Sequence, residues 1–247
     1  MKRTIYKDIA PYYDRLMDGV DYKGWVEYIN KICTINHIEP KNILDLGCGT
    51  GNPAKYFLEN GCFLTGIDGS MEMLKIAKQK LKPYNPLLIL SKFHNFMVKS
   101  KFNLVVSLFD SLNNILDEEE LLESFKCVQR SLLNHGLFAF DMNTPYGLSQ
   151  MKNATIISKE KVGIYSVWES KYDRSRSIAR ISVVLFASEN GYYRKVEEKH
   201  TERGYSFYTL KKLLKRSGFE DISMYEHLSF RRPTSRTGRV MVVAHRC

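Results

Sequence analysis

The chain is poor in the features that mark several large classes of protein. Its five cysteines are scattered, odd in number and include no CxxC pair. That argues against a disulfide framework or a zinc site and points to a reducing cytoplasm. No metal is expected. Seven prolines in 247 residues are too few for a disordered or fibrous chain. No apolar run approaches the roughly 20 residues of a membrane helix; Leu-Val-Val-Ser-Leu-Phe at 104–109 is among the longest. The opening MKRTIYKDIAPYYD has basic residues without an apolar stretch behind them, so no secretory signal is expected. Internal repeats and low-complexity tracts are absent. What is present, at 44% hydrophobic and 26% charged, is enough for one large domain or a domain with an insertion.

Negative charge is scarce in one region only. Residues 1–150 carry 17 basic and 17 acidic groups, whereas 151–247 carry 20 and 10, so the whole excess of +10 sits late in the chain. A basic balance is compatible with nucleic acid, an anionic small molecule or simple solubility.

Short apolar runs alternate with helical patterns over the first 150 residues, which predicts βαβ units and a parallel α/β sheet. Strands are expected at 42–46, 63–67, 87–90, 102–108 and 137–140. Ser70 suits a helix N-cap, Asp117 with Glu120 suits a capping box, and Gly136 suits a helix C-terminal stop. From about 162 to 202 the period changes to two, with breaks at 172–176 and 188–191, predicting three antiparallel strands. A helix follows at 209–216. The eight residues 231–238 between the last two apolar runs are too few for a helical crossover, so those strands should pair antiparallel.

The chemistry is carried by Leu44-Asp-Leu-Gly-Cys-Gly-Thr-Gly51 between a strand and a helix. Glycines there let a backbone approach a ligand closely. A dinucleotide fingerprint wants G-x-G-x-x-G, and its third glycine position holds Asn52. Asp45 would repel a diphosphate and suits a cationic ligand. An NAD-dependent oxidoreductase is therefore excluded.

This stretch resembles the first motif of the class I S-adenosylmethionine-dependent methyltransferases, an acidic residue followed by G-x-G-x-G, here Asp45, Gly47, Gly49 and Gly51. The family's ribose-binding acid at the end of the second strand is matched by Asp68, 17 residues beyond Gly51. An antiparallel last strand also belongs to that fold. Within the family, 102–113, Tyr12-Tyr-Asp-Arg-Leu-Met17, 21–25 and 198–205 look like a bacterial small-molecule subgroup, whose inserted β-meander helps form the substrate chamber. One position departs from the pattern: Lys92 stands where relatives place an Asp that accepts from the adenine amino group.

The resemblance implies a Rossmann-like seven-stranded sheet with helices on both faces, an antiparallel last strand and an antiparallel β insertion after the fifth strand. The expected organisation is one domain over 1–247, with an N-terminal helical cap at 1–40 and a cofactor-binding core at 41–150. The insertion is expected at 160–205 and a return to the sheet at 206–247. It implies S-adenosyl-L-methionine as cofactor, leaving as S-adenosyl-L-homocysteine. Asp45, Gly47, Gly49 and Cys48 (a small loop residue rather than a reactive thiol) would hold its methionine part. Asp68 would anchor the ribose, Gly69 and Met73 flank the nucleoside, and Phe93 meet the adenine, with Tyr22 and Leu108 beside them. Tyr12, Tyr13, Tyr22 and Trp25 form either a packing face or a cover over the cofactor. Catalytic candidates are His200, Asp110 and Tyr13; His200 is either a general base or a structural histidine paired with a neighbouring acid. Phe109, Asp141, Arg203 and Tyr205 are candidate substrate contacts. The implied reaction moves a methyl group to N or O of a small molecule, with an anionic one suggested by the basic late region. An RNA substrate and a non-catalytic cofactor-binding subunit are the alternatives. The sequence does not bear on oligomeric state.

Overall fold

A computed structural model describes residues 6–246. The first five residues of the expected N-terminal cap, and Cys247, lie outside the described residues. In chain order the main elements are α1 (Tyr13–Leu16), α2 (Tyr22–Ile35), β1 (Asn42–Leu46), α3 (Asn52–Glu59), β2 (Phe63–Asp68), α4 (Met71–Lys80), β3 (Leu87–Leu90), β4 (Phe102–Ser107), α5 (Glu118–Ser131), β5 (Leu132–Asn143) and α6 (Pro145–Ser149). There follow β6 (Ala154–Lys159), β7 (Ile164–Asp173), β8 (Ile178–Glu189), β9 (Tyr192–Arg203), α7 (Phe207–Arg216), β10 (Phe219–Glu226) and β11 (Arg239–Arg246).

The central apolar runs form strands that are buried on both faces. Leu104, Val106, Leu137 and Ala139 pack beneath α2 and α3, while Val105, Phe138 and Phe140 pack beneath α5 and α7. Side chains at period two therefore feed two cores, and the runs read as continuously apolar. The seven-stranded sheet has the order β10-β11-β5-β4-β1-β2-β3. β1 to β5 pair parallel, and β11 is antiparallel to both β5 and β10, as the short 231–238 link requires.

The insertion differs from the sequence expectation. It has four strands, in the order β6-β7-β8-β9, and forms a sheet of its own. The extra strand, β6, starts at Ala154 and is an edge strand with an exposed–intermediate alternation, so its apolar signal is weak. Asn190 and Gly191, both at positive φ, make the two-residue turn between β8 and β9. A third core lies between this sheet and the N-terminal segment, with Ile9, Tyr12 and Leu16 against Ile181, Val183 and Leu185. Gly136 does not stop a helix: α5 ends at Ser131 and Gly136 lies within β5, where a Cβ would sit 2.8 Å from the Leu133 carbonyl oxygen. Asp117 caps α5, accepting from the amides of Glu119 and Glu120.

Candidate functional site

The carboxyl ends of β1, β2 and β4 meet at one edge of the sheet, the place where open α/β sheets bind ligands. Two adjoining hollows open to solvent lie there, of about 530 and 1110 Å³. Tyr6, Gly47, Asp68 and Ser111 line both.

Asp45 ends β1 inside the first hollow. It is buried, and its Oδ2 has no hydrogen-bond partner. Burial first, and the nearby Asp68 charge second, push its carboxyl up to about 7. An orphaned buried carboxylate is costly unless a cationic partner arrives. Gly47 follows with φ +88°, and a Cβ on it would lie 2.6 Å from Ser111 Oγ and 3.2 Å from the Phe93 ring. Only glycine fits this position. A Cβ on Gly49 would meet nothing within 4 Å, so the loop offers bare backbone to open space. Asp68 ends β2 and holds the loop in place, its Oδ2 accepting from the Gly49 amide at 2.9 Å and its Oδ1 from the Ser70 amide at 2.8 Å. Burial outweighs these bonds and raises its carboxyl. Each oxygen keeps a further lone pair for a hydroxyl donor.

The expected cofactor residues come together. Tyr13, Tyr22, Asp45, Gly47, Cys48, Gly49, Asp68, Met73, Leu108 and Phe109 line the first hollow, and Gly69 and Phe93 line the second beside Lys92. Tyr22 is raised to about 12, chiefly by burial. The N-terminal aromatics divide their work. Tyr12 packs into the third core and donates to Glu189, whereas Trp25 stacks on Phe109 with centroids 4.1 Å apart.

The other candidates are placed less uniformly. Asp141 is fully enclosed and does not reach the cavity. It accepts from the amides of Phe109 (2.7 Å) and Asp110 (3.0 Å) and from Arg239 Nε (2.6 Å). Phe109 and Asp110 both have positive φ, 58° and 51°, a conformation that costs about 1–2 kcal/mol per residue. Asp141 thus fixes a strained turn rather than facing a substrate. Arg203 binds the Leu116 carbonyl and Glu118, and buried Tyr205 donates to the Ile115 carbonyl. Both brace the end of β9 and neither lines the hollows. His200 is buried on the inner face of β9 with its Nδ1 unpartnered and its ring 4.7 Å from that of Tyr6. Among the described residues no acid hydrogen-bonds to it, although Asp110 is electrostatically close. Burial lowers it to about 4, which leaves it neutral and a weak proton acceptor near neutral pH.

Three contributors were missed at the sequence level: Asn143, Glu202 and Arg239. Arg239 Nη2 meets Asp110 Oδ1 at 2.5 Å, and Asn143 Nδ2 donates to Asp110 Oδ2 (2.9 Å) and Glu202 Oε2 (3.0 Å). Glu202 was visible only as a neighbour of His200 at period two; nothing local marked Arg239, which stood among many surface bases.

The hollows fit S-adenosylmethionine. Among the described residues the first is lined by the buried Asp45 and half-buried Asp68 carboxylates and no Lys or Arg; the orphaned Asp45 oxygen suits the cationic group of the methionine end, and Asp68 suits the ribose. This fold and site define a class I methyltransferase. A family model described as a methyltransferase domain matches residues 43–136. YqeM of Bacillus subtilis (strain 168), which carries a methyltransferase name, is 31% identical over 219 residues, 87% of each chain. A solved S-adenosylmethionine-dependent methyltransferase from Clostridium acetobutylicum superposes with a TM-score of 0.86 at 27% identity, over 96% of both chains. The sugar N-methyltransferase KedS8 from a Streptoalloteichus species shares the fold, with a TM-score of 0.78 at 18% identity, over 100% of this chain and 96% of that one. The chain belongs to the S-adenosylmethionine-dependent methyltransferases.

Proposed function

We propose that the enzyme transfers the methyl group of S-adenosylmethionine to a nitrogen or oxygen of a small molecule. The observation that carries this reading is the lining of the first hollow: Tyr6, Tyr13, Tyr22 and Phe109 share it with Asp45 and Asp68, and the β9 sheet packs against the N-terminal segment. A small acceptor suits a site lined so closely by aromatic side chains. The cofactor supplies a methyl group already activated by the sulfonium charge. The protein's share is to hold the methionine part at Asp45, the ribose at Asp68 and the adenine at Phe93, so that an acceptor meets the carbon in line; orientation of this kind supplies much of the rate. Asp141 keeps the β4 turn, and with it Phe109 and Asp110, in register for the acceptor.

The basic surplus does not favour RNA. Lys171, Arg174, Arg176, Arg180, Lys211, Lys212, Lys215, Arg216, Arg231, Arg232 and Arg236 are exposed on several separate elements, and Arg239 turns inward. Among the described residues no helix is long and apolar enough to cross a membrane. Calorimetry with S-adenosylmethionine is the first test; absence of binding defeats the reading. Release of S-adenosylhomocysteine on adding small-molecule extracts, and its absence with RNA, then separates the enzyme from a non-catalytic subunit and from an RNA methyltransferase.

A further inference from the structure

Beside the first hollow lies a polar cluster that cofactor binding leaves unused. Asp110, in the turn after β4, Glu202, near the end of β9, and Asp141, on β5, bring three carboxyl groups together, and among the described residues the cation they face is Arg239 on β11. Arg239 is committed to Asp110 and Asp141, and its guanidinium lies 5.2 Å from the Trp25 ring centroid. Among the described residues, the hydrogen bond that Glu202 receives comes from the Asn143 amide, on one oxygen. Its inner-face neighbour His200 is 6% exposed and has an unpartnered Nδ1. Two observations therefore coincide among the described residues: a surplus of carboxyl groups over cations, and a buried ring nitrogen without a hydrogen-bond partner. Both call for a ligand that brings positive charge and N–H bonds.

The cluster borders the methyl site. Asp110 follows Phe109, which lines the hollow, and its side chain is 25% exposed. Tyr13 lies electrostatically close to both Asp110 and Asp68, and Tyr6, in contact with His200, lines both hollows.

We propose that the methyl acceptor is an amine that arrives as its ammonium ion, held by Asp110 and Glu202 with His200 accepting an N–H, and that Glu202 takes its proton. This rests on the methyltransferase reading and narrows its substrate class. One N–H bond of the ammonium breaks and its proton moves to the Glu202 carboxylate. The freed lone pair bonds to the methyl carbon, and the carbon–sulfur electron pair leaves on sulfur. The products are an N-methylammonium ion, neutral S-adenosylhomocysteine and protonated Glu202. Charge balances, and no further reactant is needed. Glu202 suits the step because burial first, and the Asp110 charge second, raise its carboxyl to about 7, against the pull of Asn143 and Arg239. The groups facing it are Asp110 from β4, Arg239 from β11 and Tyr6 from the N-terminal segment. The basic surplus stays on the outer surface, so the anionic acceptor suggested by net charge gives way to a cationic one.

The test compares methylamine, ethanolamine and D-glucosamine with methanol, ethylene glycol, D-glucose and acetate, reading S-adenosylhomocysteine release. Amines alone should accelerate release. Glu202→Gln should lower kcat/KM at least tenfold and remove its rise through about pH 7, while the S-adenosylmethionine Kd by calorimetry moves less than twofold. A second measurement needs no turnover: with S-adenosylhomocysteine bound, methylammonium should bind and acetate should not, and Asp110→Asn with Glu202→Gln should abolish that binding. Faster release with the alcohols or acetate, or no methylammonium binding to the wild-type complex, overturns the proposal. Failure to bind S-adenosylmethionine at all would instead overturn the underlying cofactor reading.

Discussion

At the scale of single residues, the cofactor end depends on two carboxylates with different duties. Asp68 ties the amides of Gly49 and Ser70 together, so its loss should loosen the loop as well as remove the proposed ribose contact. Hydrogen bonds to charged groups contribute about 1.5–3 kcal/mol each. Asp68→Ala should therefore weaken S-adenosylmethionine binding on the order of a hundredfold in calorimetry; an unchanged Kd would exclude the assignment. Asp45 is instead an electrostatic partner. Its folded carboxyl, near 7, lies well above the ordinary value of about 3.9. The folded protein thus holds this proton more tightly than the unfolded chain. The stability so gained is full below about pH 4 and is lost as pH rises through about 7. Cofactor binding has the opposite slope, because a cation prefers the ionised form. Affinity should rise from pH 5.5 to about 8 with release of a proton, and Asp45→Asn should flatten the profile. Calorimetry in buffers of different ionisation enthalpy measures both.

At the scale of elements, the N-terminal segment is held over the site by the inserted sheet. Glu198 of β9 accepts from the amides of Tyr6 and Ile9, the latter at 3.1 Å. Arg15 of α1 reaches the carbonyls of Val162, Gly163 and Ser188. Glu198→Ala should release the segment, with a melting temperature lower by about 2–6 °C at this chain length and faster amide exchange at Tyr6 and Ile9. Unaltered exchange there would show that the Glu198 contacts do not hold it. The local strand pattern made β7, β8 and β9 legible, because one face is buried and the alternation is clean. β6 was hidden, since an edge strand with only half-buried side chains carries little apolar signal. The end of α5 was misread for a similar reason. Gly136 is needed for a close approach inside β5, and a glycine chosen for space looks the same in sequence as one chosen to end a helix.

At the scale of the whole molecule, the two faces of the main sheet carry the stability. Phe138 is fully buried among Phe125, Phe140 and Phe219. Its replacement by Ala should cost roughly 3–5 kcal/mol, about 10 °C in melting temperature at this size, far from the cofactor edge. The charge of the molecule is divided in space as well as in sequence. Exposed bases on separate elements should give weak RNA retention at about 0.15 M salt; tight retention with a steep salt slope would return the RNA reading to first place.

Local order was enough to determine the cofactor half. Its strand–glycine loop–helix run, the acid ahead of it and the acid ending the next strand are contiguous or nearly so, and all line the first hollow. Only the tertiary structure brought the proposed acceptor residues together. Asp110, Asn143, Glu202 and Arg239 come from a turn and three strands spread over 130 residues, and their meaning lies in which cation faces which carboxylate. Net charge could not report that: the surplus of +10 is an outer-surface property, whereas the cluster proposed for the acceptor is acidic. Burial and pairing, set by packing two sheets together, determine the sign of the field where the chemistry takes place.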